Sequence, residues 1–228
     1  MNFNEMSIGL WRWLVRLFPA FRDDPSSRPR QWPTREEMMA LPWFDGVGRD
    51  QIVMIDSDQG ARRAYEELSR LAVVGFDTES KPTFNKGEKS RGPHVAQFST
   101  PERSYVFTLH QPENRRVVGA LMGLASLKKV GFGLADDVKR VRSKLGVIPK
   151  SVLDLETLCA QRGYGRGVGV KVAVAMVFKR RFRKSKKIGT SNWMNRQLTD
   201  QQVLYAANDA HAAMLVFEAI GEKGKKKT

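Results

Sequence analysis

The sequence is poor in the residues that cross-link chains or bind soft metals. It contains one cysteine and three histidines among 228 residues. Cys159 alone cannot form a disulfide within the chain, and the sequence has no CxxC motif and no Cys/His cluster. The histidines His94, His110 and His211 lack any spacing that indicates joint ligation. These absences exclude an intrachain disulfide framework and a zinc site of the Cys/His type.

Acidic residues are scarce relative to basic ones. Lysine and arginine number 39 against 24 aspartate and glutamate residues, which gives a formal net charge of +15. The isoelectric point is about 10.2. Because contacts with phosphates release condensed counterions, this balance favours a polyanionic partner.

Much of the positive charge lies in one run, Lys179–Lys187, which contains a single aromatic residue, Phe182. A solvated surface loop is one interpretation of such a run. Its position between helical segments and just ahead of the Ser191-Asn192-Trp193 loop favours contact with a substrate backbone, with Phe182 placed to stack on a base. The cations predicted to make this contact are Arg181, Arg183, Lys186 and Lys187. The lysine-rich stretch 223–227 indicates a tail with a nonspecific electrostatic role.

An apolar run, Leu71–Glu79, ends in two carboxylates at alternate positions. Strand side chains alternate between faces, so Asp77 and Glu79 point the same way while Thr78 points to the other face. Like charges at the end of a buried strand repel, and each is costly to desolvate. A hard cation such as Mg2+ or Mn2+ between them resolves both problems. The alternative is a solvated acidic strand end without a metal.

Two later motifs extend this acidic pair. Asp137 lies in the first turns of a predicted helix, where complementing the helix dipole is the alternative interpretation. Near the C-terminus, Thr199 and Gln202 form a capping-box pattern that opens a long helix. Tyr205 and Asp209 are four residues apart on that helix and therefore share one face. Small residues around them allow this face to approach another element closely.

Taken in this order, the motifs resemble the DEDD superfamily of 3′–5′ exonucleases. The matching residues are Asp77 and Glu79 in the first motif, Asp137 in the second, and Tyr205 and Asp209 in the third. Leu204 stands where the DEDDh branch has its histidine, so the resemblance is to the DEDDy branch. Lys129–Gly133 and Thr190–Trp193 are similar to the exonuclease domain of Werner helicase and its short bacterial relatives, and RNase D is a more distant relative. The resemblance covers roughly Gln51–Glu222.

The resemblance implies a two-metal active site that uses Mg2+ or Mn2+ and releases nucleoside 5′-monophosphates from the 3′ end. Asp77, Glu79 and Asp209 would hold one ion, Asp77 would be shared, and Asp137 would hold the second ion through water. Tyr205 would orient the attacking water, because a phenol with a pKa near 10 is a weak base.

The Werner-like motifs favour DNA over RNA and imply a role in DNA repair, with single-stranded or 3′-ended nucleic acid as the partner. In the loop before the third motif, the implied nucleic-acid contacts are Asn192 and Trp193. Three alternatives stay open: trimming of RNA or oligoribonucleotide 3′ ends, a catalytically inactive nucleic-acid-binding module on the same fold, and a proofreading subunit that needs a polymerase.

The order of predicted elements indicates an α/β domain over residues 51–222, with a mixed sheet flanked by helices. The family resemblance sharpens this to an RNase H-like fold. Predicted strands are Gln51–Ile55, Val73–Asp77, His94–Phe98, Ser104–Thr108, Lys129–Phe132 and Val152–Leu155. Predicted helices are Gln59–Leu71, Val117–Ala125, Ala135–Leu145, Val168–Phe178 and Thr199–Ile220.

Residues 1–50 are predicted to form an extension made of an amphipathic helix, Ile8–Phe18, and a Pro/Ser-rich linker, Asp23–Arg35. The helix is far too short to span a bilayer, and Arg12 and Arg16 interrupt what would be a signal-peptide core. Three roles stay open for it: packing against the domain or a second protomer, an interfacial membrane helix, and a targeting segment. We expect a cytoplasmic protein.

Overall fold

In a computed structural model of the protein, residues 32–83 and 91–221 are described. The predicted helix Ile8–Phe18, most of the predicted linker Asp23–Arg35 and the lysine-rich stretch 223–227 lie outside these residues. The core is a six-stranded sheet with the order β1-β4-β3-β2-β5-β6. β3 is antiparallel to both β2 and β4, and the other pairings are parallel. The strands are β1 (Ile52–Ile55), β2 (Val73–Glu79), β3 (Val95–Ser99), β4 (Ser104–Thr108), β5 (Lys128–Gly131) and β6 (Val152–Asp154).

Helices cover both faces of this sheet. They are α1 (Arg35–Ala40), α2 (Asp58–Leu68), α3 (Pro112–Gly123), α4 (Ala135–Leu145), α5 (Leu155–Gln161), α6 (Val170–Phe178), α7 (Lys186–Gly189) and α8 (Asp200–Ile220). A 3-10 turn, Arg49–Gln51, precedes β1. Within the described ranges, no helix is long and apolar enough to cross a membrane.

One face of the sheet carries an aromatic core. Phe76, Phe98 and Phe107 come from three adjacent strands, with ring centroids 5.1 Å and 5.8 Å apart along the series. They pack with buried residues of α2 and α3. Because strand side chains alternate, this burial directs Gly75, Asp77 and Glu79 to the opposite face of β2. The position of the acids thus follows from the packing of their neighbours.

The long helix α8 crosses that opposite face, and Gly75 lets it come close. A Cβ atom at Gly75 would lie 2.0 Å from the carbonyl oxygen of Ala210. Ala206 and Ala207 present equally small side chains to the sheet and are fully buried. The close approach predicted from these small residues is therefore confirmed, and it brings α8 within reach of the strand end.

The predicted mixed sheet flanked by helices is confirmed, as are the capping box at Thr199 and the bounds of β4 and α4. Other ends differ for local reasons. α3 begins at Pro112, five residues before the predicted start, because proline at the first helical position has a φ suited to a helix. The short helices α1 and α7 were not predicted, and α7 overlaps the end of the basic run.

Candidate active site

Three acids from two elements meet at the carboxyl end of β2. Asp77 and Glu79 point from the strand toward α8, and Asp209 points from α8 toward the strand. Each offers one carboxylate oxygen, and these three oxygens all lie within 4.8 Å of one another. Glu79 and Asp209 are buried, with 8% and 6% of their surfaces exposed, and Asp77 is half-buried. We call this group the carboxylate cluster.

The surroundings of the carboxylate cluster oppose ionisation. Burial raises the pKa of Asp77 well above its ordinary value, and the charges of Asp209 and Asp137 raise it further. Burial and the charge of Asp77 raise the pKa of Glu79 to about 10. Burial also raises the pKa of Asp209. Three carboxyl groups in this state favour either protons or a cation between them.

The chemistry of the cluster fits a hard divalent cation. Its donors are all carboxylate oxygens, which Mg2+ and Mn2+ prefer over nitrogen and sulfur. A bound cation would also remove the cost of holding three like charges together at a buried position. The residues present are therefore suited to the metal that the sequence predicts.

Lys184 supplies a positive charge at the same place. Its Nζ atom lies 2.9 Å from Oδ2 of Asp209 and 5.8 Å from the centroid of the Tyr205 ring. Burial lowers the pKa of this lysine, but the nearby charges of Asp209, Asp77 and Glu79 outweigh burial, and the pKa is raised. Sequence reasoning missed Lys184, because nothing in the basic run distinguishes it from the cations on either side.

Asp137 reaches the site from the other face of the sheet. It lies in the first turn of α4 and is 8% exposed. Its Oδ1 atom accepts a hydrogen bond from Oγ1 of Thr78, the residue between the two acids of β2. The structure thus brings three of the four predicted acids into one cluster and places the fourth beside it. Asp137 is near enough for its charge to raise the pKa of both Asp77 and Glu79.

Tyr205 lies one helical turn before Asp209, as predicted, and its hydroxyl faces Gly189 at the end of α7. A Cβ atom at Gly189 would lie 2.8 Å from this hydroxyl, so a larger residue there would displace the hydroxyl from its present position. Burial and the charges of Asp209 and Glu79 raise the pKa of Tyr205. The phenol therefore keeps its proton and is available as a hydrogen-bond donor.

Two aromatic residues predicted to face nucleic acid are buried instead. Trp193 is 1% exposed, donates from Nε1 to the carbonyl oxygen of Gly189 at 3.1 Å, and packs 6.0 Å from the ring of Tyr205. Phe182 is 6% exposed and packs against Phe44. The predictions that Trp193 contacts nucleic acid and that Phe182 stacks on a base are therefore wrong. Each ring has a large apolar surface, and burying that surface in the core is favourable.

The predicted polar contacts lie at the surface. Arg183, Lys186, Lys187 and Asn192 are exposed, and Arg181 is half-buried. Asn192 is occupied locally, because its Nδ2 donates to Oδ1 of Asn195 at 2.8 Å. Contact between these residues and nucleic acid stays a prediction.

Gln97 is a second residue that sequence reasoning missed. It is fully buried on β3, directly opposite Asp77 in the antiparallel ladder. Opposed residues of a ladder project to the same face, so its amide lies on the side of the sheet that holds the cluster. Neither of its side-chain polar atoms has a hydrogen-bond partner among the described residues. The available signal was a glutamine within an apolar strand, between Ala96 and Phe98.

Comparison with known proteins agrees with this geometry. Residues 52–225 match a family model described as 3′–5′ exonuclease. The chain is 29% identical over 167 residues to the mouse bifunctional 3′–5′ exonuclease/ATP-dependent helicase WRN. This alignment covers 69% of this chain and 11% of that protein. It is 30% identical over 211 residues to mouse exonuclease 3′–5′ domain-containing protein 2, covering 82% of this chain and 32% of that one. The chain thus spans about a tenth and a third of these relatives.

A solved structure shares the fold. The complex of Trypanosoma brucei RNase D with RNA U12 superposes with a TM-score of 0.65 at 18% identity, over 83% of this chain and 66% of that chain. The mixed sheet with helices on both faces is therefore the RNase H-like fold expected from the sequence. Since the matched family model spans most of the sequence and includes the carboxylate cluster, the chain belongs to the 3′–5′ exonuclease family.

Proposed function

We propose that this protein removes nucleoside 5′-monophosphates from the 3′ end of nucleic acid and depends on two divalent cations, Mg2+ or Mn2+. The observation that carries the proposal is the convergence of three carboxylates, two from β2 and one from α8, within 4.8 Å. Three carboxylates held this close together destabilise the folded protein unless a cation binds between them, and such groups occur mainly at functional sites. The matched family supports a hydrolytic role.

The proposed division of the acids between the two cations is the one that the resemblance to the DEDDy exonucleases implies. Asp77, Glu79 and Asp209 would hold one ion together, with Asp77 shared between both. Asp137, which lies beside the cluster against Thr78, would hold the second through water. When bound, the two ions would supply an activated water and stabilise the leaving 3′ oxygen.

Tyr205 and Lys184 complete the polar groups around the scissile bond. Because Tyr205 keeps its proton, it donates a hydrogen bond that aligns the attacking water and does not act as the base. Lys184 carries a positive charge 2.9 Å from Asp209, at the edge of the cluster. From there its ammonium can bind a non-bridging oxygen of the scissile phosphate.

We further propose DNA as the preferred substrate. Support comes from the similarity to the exonuclease/helicase WRN, at 29% identity. RNA trimming is the second candidate, and it is supported by the shared fold with an RNase D bound to RNA. A role in DNA repair is a finer prediction that depends on this preference.

The proposal is tested by incubating the full chain with 3′- and 5′-labelled single strands, duplexes with either overhang, and RNA, each with Mg2+ and with Mn2+. Stepwise release of 5′-mononucleotides from 3′ ends, dependent on metal, is expected. Asp77→Ala should be inactive, whereas Asp136→Ala should retain activity, because Asp136 is exposed and pairs with Lys139 on α4. Binding without metal-dependent release would instead identify the inactive nucleic-acid-binding module.

A further inference from the structure

A groove of ≈ 590 Å³ lies beside the carboxylate cluster, between α1, α6 and the chain around residues 181–185. Its lining includes an indole, Trp43, and five cations but no carboxylate from the described residues. The cations are Arg35, Lys171, Arg181, Arg183 and Lys184. One wall, formed by Arg35 and Trp43, precedes residue 52, where the match to the exonuclease family begins. We call this the basic groove.

The two sides of the basic groove are joined by backbone contacts. Trp43 pairs with Arg181 in a parallel bridge. The backbone N–H of Phe44 donates to the Arg181 carbonyl at 3.0 Å, and the Arg181 N–H donates to the Pro42 carbonyl at 2.7 Å. The segment before the family domain is thus held against the basic run, and the groove is a built feature of the fold.

These contacts place the indole of Trp43 among cations while leaving it accessible. The guanidinium groups of Arg181 and Arg183 lie over the Trp43 ring, with their central carbons 4.2 Å and 4.5 Å from the ring centroid. Trp43 is nevertheless 42% exposed. An exposed aromatic ring next to several cations is the combination with which proteins bind single strands, since bases stack on the ring and phosphates contact the cations.

The basic groove is continuous with the site of hydrolysis. Lys184 forms part of its lining, and the ammonium of the same residue lies 2.9 Å from Asp209. Lys171, on the opposite wall, is near enough for its charge to lower the pKa of Asp209. A nucleic-acid strand that extends from the carboxylate cluster past Lys184 therefore places its phosphates among the cations of the basic groove.

We propose that the basic groove binds the single strand upstream of the scissile phosphate. One base stacks on Trp43 in place of a guanidinium group, and Arg181 and Arg183 bind the neighbouring phosphates. This inference rests on the proposed function, because the strand must have its 3′ end at the carboxylate cluster. The contacts are to base faces and phosphates, which DNA and RNA share. The groove therefore recognises single-stranded nucleic acid of either sugar and adds affinity only for strands long enough to reach it.

Stacking on Trp43 is tested with the full chain in an Asp77→Asn background, so that strands are not cut, by fluorescence anisotropy with labelled oligonucleotides. Trp43→Ala should weaken binding of a 15-nucleotide strand by roughly 5- to 150-fold, the range expected for one base on an aromatic ring. The matched control is Trp32→Ala. Trp32 is 41% exposed, bonds to the Tyr164 carbonyl and lies outside the groove lining.

A strand of abasic sites separates stacking from charge. It keeps every phosphate but offers no base, so the effect of Trp43→Ala should disappear with this probe. An equal loss of affinity for abasic and normal strands would overturn the stacking assignment. Equal losses in the Trp43→Ala and Trp32→Ala proteins would do the same.

The binding of phosphates by the two arginines is tested by salt dependence. Replacing Arg181 and Arg183 with Gln should reduce the slope of log affinity against log salt by about 0.7 for each phosphate that is no longer neutralised. The matched control replaces Arg63 and Arg70, two exposed arginines at and just after α2, on the other face of the sheet. If replacing Arg181 and Arg183 weakened the binding of anionic lipid vesicles or polyglutamate as much as that of nucleic acid, the groove would be a general anion surface and the proposal would fail.

Catalysis distinguishes failure of the groove from failure of the proposed function. In the otherwise wild-type chain, the ratio of kcat/KM for a 15-nucleotide strand to that for a dinucleotide should fall by roughly 5- to 150-fold on Trp43→Ala, as the affinity does. An unchanged ratio, with both substrates hydrolysed, refutes the groove and leaves the exonuclease assignment standing. No metal-dependent hydrolysis of either substrate refutes both.

Discussion

The carboxylate cluster and the basic groove are adjacent regions that differ in the sign of their charges and in how far those charges are buried. The cluster gathers like charges where water is largely excluded, so its pKa values are raised strongly and it needs a counter-cation. The groove spreads like charges at an exposed surface, where solvent and salt screen their repulsion. The first region therefore selects a small hard ion, and the second suits an extended polyanion. Lys184 belongs to both, since it lines the groove and pairs with Asp209.

The largest expected effect comes from removing a member of the cluster. Asp77→Ala or Asp209→Ala should reduce turnover to background at saturating Mg2+, because each deletes a carboxylate of the proposed metal site. The metal-free Asp77→Ala variant should melt at a higher temperature than the metal-free parent, since it carries one fewer like charge in the cluster. Turnover and thermal unfolding, measured on the same preparations, check the expected loss of activity and the expected rise in melting temperature. Substantial activity in Asp77→Ala would exclude this acid as a ligand.

A second, smaller effect separates Tyr205 from the acids. Tyr205→Phe keeps the ring but loses the donor hydroxyl, and kcat should fall by roughly 10²–10⁴-fold. Metal affinity should change little, because the acids are untouched. Calorimetric titration with Mn2+ beside single-turnover kinetics provides the measurement. If Phe at this position weakened metal binding as much as loss of Asp209, the water-aligning role would be ruled out.

The raised pKa values predict a dependence on pH. Glu79, with a pKa of about 10, holds a proton in the metal-free cluster that a cation must displace. Apparent Mn2+ affinity should therefore rise about tenfold per pH unit for each proton released, between about pH 6 and about pH 8. Over the same range the folded metal-free protein binds more protons than the unfolded chain, so its free energy of unfolding should fall as pH rises.

Proton release on metal binding is measured by calorimetry in buffers of different ionisation enthalpy, and the stability trend by urea unfolding in a chelator. In Glu79→Gln, the Mn2+ affinity and the free energy of unfolding should both vary less with pH, because this variant has no proton to lose at that position. A Mn2+ affinity independent of pH in the parent protein would contradict the raised pKa values.

The smallest expected effect concerns the residue shared by both regions. Lys184→Met removes an ammonium that a cation otherwise meets beside Asp209, so Mn2+ affinity should rise by up to about fivefold. Metal-free stability should fall, because the buried carboxylate loses its partner. Lys186→Met is the matched control for metal affinity, since Lys186 is exposed and two residues away. Equal metal affinity in Lys184→Met and the parent protein would show that the ion pair does not compete with the cation.

The aromatic residues show where sequence reasoning was insufficient. Phe182 and Trp193 have neighbours typical of nucleic-acid contacts, yet both are buried. Trp43, which precedes the residues that the family model matches, is an aromatic residue that stays exposed beside the arginines. The local sequence around a ring does not determine its exposure, because exposure depends on which distant segments pack over it.

The sequence by itself determined the identity, order and facing of the site acids. Strand alternation directs Asp77 and Glu79 to one face, helical spacing aligns Tyr205 with Asp209, and both rules act over a few residues. Tertiary structure alone decided that Lys184 meets Asp209, that Asp137 bonds to Thr78, and that residues 35–43 build a wall of the basic groove. Those contacts join residues far apart in the chain, so no rule that acts over a few residues predicts them.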